Sequence, residues 1–319
     1  MKILIIKLGA LGDAIIATAV IKQILEHHAA DNIHLLTSPP FIQIFSHFDK
    51  LQIDSFERKG IFNMARSLIW IRKNKFDRIY DLQSNDRTRI FCSLSGCSYL
   101  AGNHPHFPYT VHPKKAYAGE CHSFDRLNQI IESANIIPAQ AIPHLPINKS
   151  TINKVNHWLE KLGFLHKPFI ILHAGSSLKN TKKRWPYFKE LTCKLNNLFA
   201  IVWVGGNDDA KINHALSTVD GIDATNQFNI FELAELGKHA KFIIANDSAP
   251  MHILSCSQTP IFGLFGPTYP RRTHALGQFI NIISSDKSLA RNDLEFKPSD
   301  MSSISLNMVL DKLKENKLI

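Results

Sequence analysis

Residues 1–19, MKILIIKLGALGDAIIATA, run from a short apolar segment through two glycines into a second apolar segment with helical spacing. Residues 2–6 read as a buried strand, and residues 13–28 read as the helix that follows. Gly9 and Gly12 permit a tight turn and let another molecule approach the backbone closely. Strand, glycine turn and helix in that order suggest a nucleotide site, yet neither common fingerprint is present. The glycines are spaced G-x-x-G, not G-x-G-x-x-G, and the second strand ends at Thr37-Ser38-Pro39, where a ribose-binding acid is expected. No G-K-[ST] follows to cradle a triphosphate, which excludes a P-loop. Asp13 is open to two readings. It lies beyond the carboxyl end of a strand, where open α/β folds bind ligands, or it caps the helix by accepting a backbone N–H bond. The loop taken alone favours the cap.

Apolar strand-like runs alternate with helix-period segments through the rest of the chain. IHLLT, a helical stretch near 62–73 and RIYDLQ continue the first half. FIILHAG, WPYFKELTCKLNN, AIVWVGG, a helix from Asp208, a helix near 230–239, FIIAND, a helix from Pro250 and IFGLFG make up the second. This is the pattern of parallel sheets wrapped by helices, met twice. Between the halves, PAQAIPHLPINKST (138–151) carries three prolines and neither periodicity. Two domains are expected, 1–150 and 151–319. Leu306, Val309, Leu310 and Leu313 recur at helical intervals, so the final segment is expected to pack back as an amphipathic helix.

A length of 319 residues with 45% hydrophobic content suits two cores. The longest apolar runs are strand-length, far short of the roughly 20 residues that span a bilayer, and the first residues lack the cleavage site of a signal peptide. A cytoplasmic protein is expected. The five scattered cysteines, without a C-x-x-C pair, read as reduced thiols. A net charge of +10 favours polyanionic partners: nucleic acid, anionic lipid or phosphorylated sugars. No RNP sequence, zinc-finger spacing or basic-zipper heptad accompanies the charge, so nucleic acid is set aside.

In ANDSAPMHILS (245–255), Ser248 reads as an N-cap and Pro250 as the first helical residue. Such a helix start presents free N–H groups and a positive dipole end to phosphate. An ordinary capped helix accounts for Ser248 and Pro250 but leaves Asp247 and His252 unexplained. HAGSSLKNTKKRWP (173–186) offers Gly175, Ser176 and Ser177 as flexible donors and Lys179, Lys182, Lys183 and Arg184 as cations. The usual meaning of such a run is a solvated loop, but this one should emerge on the same sheet edge as Asp247, where the two could grip one diphosphate. Gly205-Gly206 would let a nucleoside approach. Asp208 and Asp209 read as acids serving a helix dipole, not as metal ligands. His104, His106, His112 and His122 are irregularly spaced in a proline-rich loop and read as extra positive surface at mildly acidic pH. No metal site is expected.

KLGALGDAIIATAVIKQI, KKRWP and NDSAPMHILS…TPIFGLFGPTYP together resemble glycosyltransferase family 9, the ADP-heptose:lipopolysaccharide heptosyltransferases. The resemblance covers most of the chain in order, and its last block is the most specific. It implies a GT-B fold, two Rossmann-like domains facing across a cleft, with the acceptor on the N-terminal side and the sugar nucleotide on the C-terminal side. It also implies Asp13 as catalytic base. Ser176, Lys183, Phe228, Asp247, Ser248, Ala249, Met251 and His252 would bind the donor. Lys7, Gly12 and, in YDLQSNDRTR and GECHSFDR, Arg87, Arg89 and Arg126 would bind an anionic acceptor; pairing of these surface arginines with Asp86 or Asp125 is the competing explanation, and for Arg89 an equal one. Two departures stand out: Ala249 occupies a position that is commonly glycine in the family, and the loop between Gly175 and Trp185 is longer.

The implied activity is inverting, metal-independent transfer of heptose from ADP-heptose to inner-core lipopolysaccharide, with no cofactor, at the inner face of the inner membrane through peripheral contact. A relative using another nucleotide sugar, or a binder of sugar nucleotides or anionic glycans without turnover, are the alternatives. An NAD-linked oxidoreductase ranks last because its fingerprint is missing.

Overall fold

The structure is a computed structural model that describes residues 1–57, 60–114, 121–286 and 297–319. The chain divides into two compact units, Met1–Pro146 and Ile147–Ile319, against an expected boundary near 150.

The first unit runs β1 (Lys2–Ile6), α1 (Leu11–His27), β2 (Asn32–Thr37), α2 (Ile42–Phe45), β3 (Leu51–Ser55), α3 (Ile61–Asn74), β4 (Arg78–Asp81), α4 (Asp86–Leu94), β5 (Tyr99–Ala101) and α5 (Ser123–Ser133). Its five strands are parallel in the order β3-β2-β1-β4-β5. Strand β1 is central and covered on both faces, which is why Ile3, Leu4, Ile5 and Ile6 form an unbroken apolar run. Ile71 of α3 and Phe91 of α4 pack with Leu4, Ile6, Leu36 and Ile79 on one face of the sheet. Helix α5 packs on α1.

The second unit runs α6 (Lys149–Lys161), β6 (Phe169–His173), α7 (Phe188–Leu195), β7 (Ala200–Trp203), α8 (Ala210–Ser217), β8 (Ile222–Asp223), α9 (Ile230–His239), β9 (Ile243–Asn246), α10 (Ala249–Ser255), β10 (Ile261–Leu264), α11 (Pro270–Thr273), β11 (Ile282–Ile283) and α12 (Leu306–Glu315). Its parallel sheet is ordered β11-β10-β9-β6-β7-β8. The expected C-terminal helix, α12, packs on this sheet through Val309 and Leu313, and Trp185 Nε1 donates to Ile304 O at 2.7 Å beside it.

Both strand orders reverse direction once. That happens between β1 and β4 in the first unit and between β6 and β9 in the second. These are the topological switch points, where open α/β sheets leave a crevice for ligands. Among the described residues, no helix is long and apolar enough to cross a membrane.

Two elements differ from expectation. Helix α6 begins inside the proline-rich connection, because Asn148 accepts a bond from Thr151 N at 2.8 Å and caps it. The helix expected from Asp208 starts at Ala210, after a 3₁₀ turn over Asn207–Asp209.

Candidate functional site

At the first switch point, residues 7–10 leave β1 beside the loop that leaves β4. Leu8 N donates to Gln83 Oε1 at 3.0 Å and ties the two together. Asp81 ends β4 fully buried and accepts from Gln83 N (3.0 Å), Ser84 N (2.8 Å) and Tyr109 Oη (2.5 Å). Burial still raises its carboxyl above the usual range. Gly9 has φ +118°, and a Cβ there would overlap the Phe41 ring, so this position requires glycine. Gly12 has no positive φ and is the second residue of α1, so the turn needs only one of the two glycines.

Asp13 is the third residue of α1, half-buried in its first turn. The N-cap position belongs to Ala10, which makes no side-chain cap bond. The cap favoured by the loop alone is therefore not formed. Lys7 is buried, and its Nζ donates to Leu82 O at 3.4 Å. Burial lowers the Lys7 ammonium below its ordinary value; Asp13 pulls it back up, exposed Arg126 on α5 lowers it further, and Asp81 raises it. Lys7 thus feels the charges of both Asp13 and Arg126. Arg87 lines a pocket with Leu8, Leu36, Thr37, Phe56, Glu57, Met64, Ser67 and Phe91. Thr37 Oγ1 is buried in that wall without a hydrogen-bond partner, an unmet demand that sequence patterning gave no sign of. Arg89 donates to Phe107 O at 3.2 Å and lies 4.0 Å from Asp86, which favours the structural reading for it.

At the second switch point, Asn246 closes β9. Its Nδ2 donates to Ala174 O (2.8 Å) and Gly175 O (3.2 Å), and its Oδ1 accepts from Trp185 N (3.2 Å). This clamp fixes both ends of the HAGSSLKNTKKRW loop. Within the loop, Lys183 Nζ donates to Asp247 Oδ2 at 2.7 Å and to Asp247 O at 3.3 Å. Ser176 is buried; its Oγ donates to Asn180 O at 3.0 Å and accepts from Arg184 Nε at 3.3 Å. Arg184 Nη2 reaches Ser176 O (2.8 Å) and Asp208 O (3.1 Å), so this arginine is a strut rather than a free cation. Gly175 and Gly205 both abut the Asp209 side chain, and a Cβ on either would overlap it. Asp209 Oδ2 accepts from Gly206 N at 3.0 Å, a local capping contact in keeping with its expected role at a helix start.

The last motif departs from expectation in detail. Ser248 stands at the N-cap position of α10, but its Oγ donates to Asn246 O at 3.3 Å instead of capping, and Pro250 is the second helical residue, after Ala249. Met251 is fully buried against Gly263, and its main-chain N donates to Ser248 O at 3.2 Å. His252 is buried. Phe228 follows β8, half-buried, with its ring edge-to-face on Trp158 at 5.0 Å; Trp158 Nε1 donates to Gln227 Oε1 at 2.8 Å. Ser176, Phe228 and Asp247 thus sit on loops leaving the carboxyl edge of one sheet. Thr268 joins them after β10, its Oγ1 buried without a partner.

Of the four histidines expected at the surface, His122 differs: it is buried and caps α5, its Nδ1 accepting from Phe124 N at 3.2 Å. His106 is exposed, and its ring lies 5.1 Å from that of half-buried His104. Gly119 and Glu120 of the GECHSFDR segment lie outside the described residues. Among the described residues, no three His, Cys, Asp or Glu side chains gather as a metal-ligand set.

Two Rossmann-like domains in one chain, each with its polar residues collected at a switch point, define the fold class of the GT-B glycosyltransferases. The chain belongs to glycosyltransferase family 9 (heptosyltransferase), whose sequence pattern matches residues 70–297. It is 28% identical to lipopolysaccharide heptosyltransferase 1 of Campylobacter coli, over 99% of this chain and 98% of that one. Its fold is similar to that of a family 9 glycosyltransferase from Veillonella parvula, with TM-score 0.81, 20% identity and coverage of 98% and 96%. It is also similar to E. coli heptosyltransferase WaaC with ADP-2-deoxy-2-fluoro heptose, with TM-score 0.69, 15% identity and coverage of 99% and 100%.

Proposed function

We propose that the protein transfers heptose from ADP-heptose to an inner-core sugar of lipopolysaccharide, inverting the anomeric centre. The observation that carries this reading is the Lys183–Asp247 pair on the Asn246-clamped loop at the second switch point. It holds a cation beside a loop with the serine and glycines that a diphosphate needs. Family membership and the name of the Campylobacter coli relative support the sugar and the acceptor.

In this reading Asp13 takes the proton of the acceptor hydroxyl as that oxygen bonds to the anomeric carbon. The bond from the anomeric carbon to the diphosphate oxygen breaks on the opposite face, and ADP departs with the electron pair. Lys183 exchanges Asp247 for the diphosphate and, with the main-chain N–H groups of Ser248 and Ala249, meets the charge that gathers there. Phe228 packs near the nucleoside, and Ser176 and His252 shape the donor site. Lys7 and Arg126 meet anionic groups of the acceptor, and Arg87 with Thr37 offers its pocket polar anchors. An amphiphilic acceptor and a net charge of +10 support peripheral work at the inner face of the inner membrane.

Ala249, the first residue of α10, keeps a second donor in view, since its methyl replaces a family glycine at the donor edge. Incubation with a panel of nucleotide sugars and a truncated lipid acceptor, read by product mass, tests both. A heptose increment from ADP-heptose is expected. A different sugar increment moves the protein to the alternative donor, and no mass gain with any donor refutes the transferase reading.

A further inference from the structure

Helix α3 carries an outward face unlike that of a solvated helix. Ile61 is 84% exposed, Phe62 87% and Ile69 53%. With Ala65 they fall within about 100° of arc at 100° per residue. Arg72 shares that arc, and Lys73 and Arg66 border it, all three exposed. The helix contains no Asp or Glu, and none of the ion pairs among the described residues uses these three cations. Its inner face is already occupied: Ile71 joins the core and Trp70 packs against Phe56 and Phe76. Ile90 on the adjoining α4 is 44% exposed, and exposed Phe107 is tied to α4 by the Arg89 bond.

Resting on the reading that the acceptor is amphiphilic, we propose that the outer face of α3 docks on an anionic phospholipid surface, with Phe62, Ile61 and Ile69 entering the interface and Arg66, Arg72 and Lys73 engaging headgroup phosphates. Exposed apolar side chains bordered by cations of one sign fit a bilayer surface, where both find complements at one depth. A second copy of this chain is a poor occupant. A two-fold contact would bring the same cations against their own counterparts. The pocket holding Arg87 is also lined by Met64 and Ser67 of α3, so the docked helix would carry an acceptor-side cavity at the membrane.

The test uses the full chain and vesicles of phosphatidylcholine with or without phosphatidylglycerol, read by co-sedimentation. The wild-type protein is expected to bind the anionic vesicles. Phe62→Ser/Ile69→Ser is expected to bind them at least about tenfold more weakly. Arg66→Gln/Arg72→Gln/Lys73→Gln should lose both the preference for phosphatidylglycerol and the salt sensitivity of binding. Because Phe62 and Ile69 are exposed, an unchanged melting temperature is expected to confirm that the apolar variant folds. Transfer to a delipidated acceptor in solution should be unaffected in that variant, while transfer to an acceptor held in vesicles should fall. Wild-type protein that ignores anionic vesicles, a double variant that binds like wild type, or a wild-type dimer that the double variant dissociates would each overturn the docking surface. Absence of transfer to either acceptor by the wild-type protein would instead refute the functional reading, and the vesicle result would stand on its own.

Discussion

Lys183 is held by a nearly buried carboxylate, so in the proposed donor grip a nucleotide sugar must compete for it. Lys183→Ala is expected to raise KM for the nucleotide sugar and lower kcat together, because a cation on the diphosphate acts in both ground and transition states. It also leaves Asp247 buried without its partner, at a cost of about 1–3 kcal/mol in stability. Asp247→Asn added to Lys183→Ala should return part of that stability and none of the activity, a pattern that denaturation and kinetics separate. Unchanged stability and kinetics in Lys183→Ala would put the lysine in solvent. Both residues were legible as members of motifs, but their pairing was not. Partners 64 positions apart meet only once β6 and β9 lie side by side. Thr37 was invisible for a related reason: a threonine ending a strand says nothing of whether its hydroxyl finds a partner.

At the scale of elements, the central strands could be read from the chain and the edges could not. β1, β6 and β9 are buried on both faces and so appear as continuous apolar runs. β3 is only half-buried along its length, and β8 and β11 have two residues each, too few to show a period. The two ends of the 175–185 loop are held by one side chain. Asn246→Ala removes three hydrogen bonds from a buried position and is expected to cost about 1–3 kcal/mol by urea denaturation. It should also raise KM for the donor, since the 175–185 loop loses its anchor; a variant with wild-type stability and KM would show that the clamp is redundant. The final helix is a structural element in the same sense. Leu313 is fully buried against the second sheet, and Leu313→Ala should destabilise the protein by about 2–5 kcal/mol. A shift within error in chemical denaturation would show that α12 merely lies on the surface.

At the scale of the whole molecule, several histidines couple stability to pH. Burial lowers the imidazoles of His28, His144 and His173 below their ordinary value. On unfolding each regains an ordinary pKa of about 6.5 and takes up a proton that the native state refuses, so stability must fall as pH drops below that value. The melting temperature is expected to decline steadily between about pH 7.5 and about pH 5.5, and a flat profile there would contradict the neutral burial of these rings. Transfer is likewise a property of the whole chain, with the proposed base on the first domain and the donor grip on the second. Because Ala10 holds the N-cap position of α1, Asp13 is not needed to cap the helix, and Asp13→Asn preserves shape while removing the proton acceptor. The decisive measurement is single-turnover transfer by Asp13→Asn alongside its affinity for ADP-heptose by calorimetry. The account predicts unchanged donor affinity and melting temperature with a rate lower by about 10²–10⁴-fold; a near-normal rate would remove Asp13 from the chemistry and contradict it.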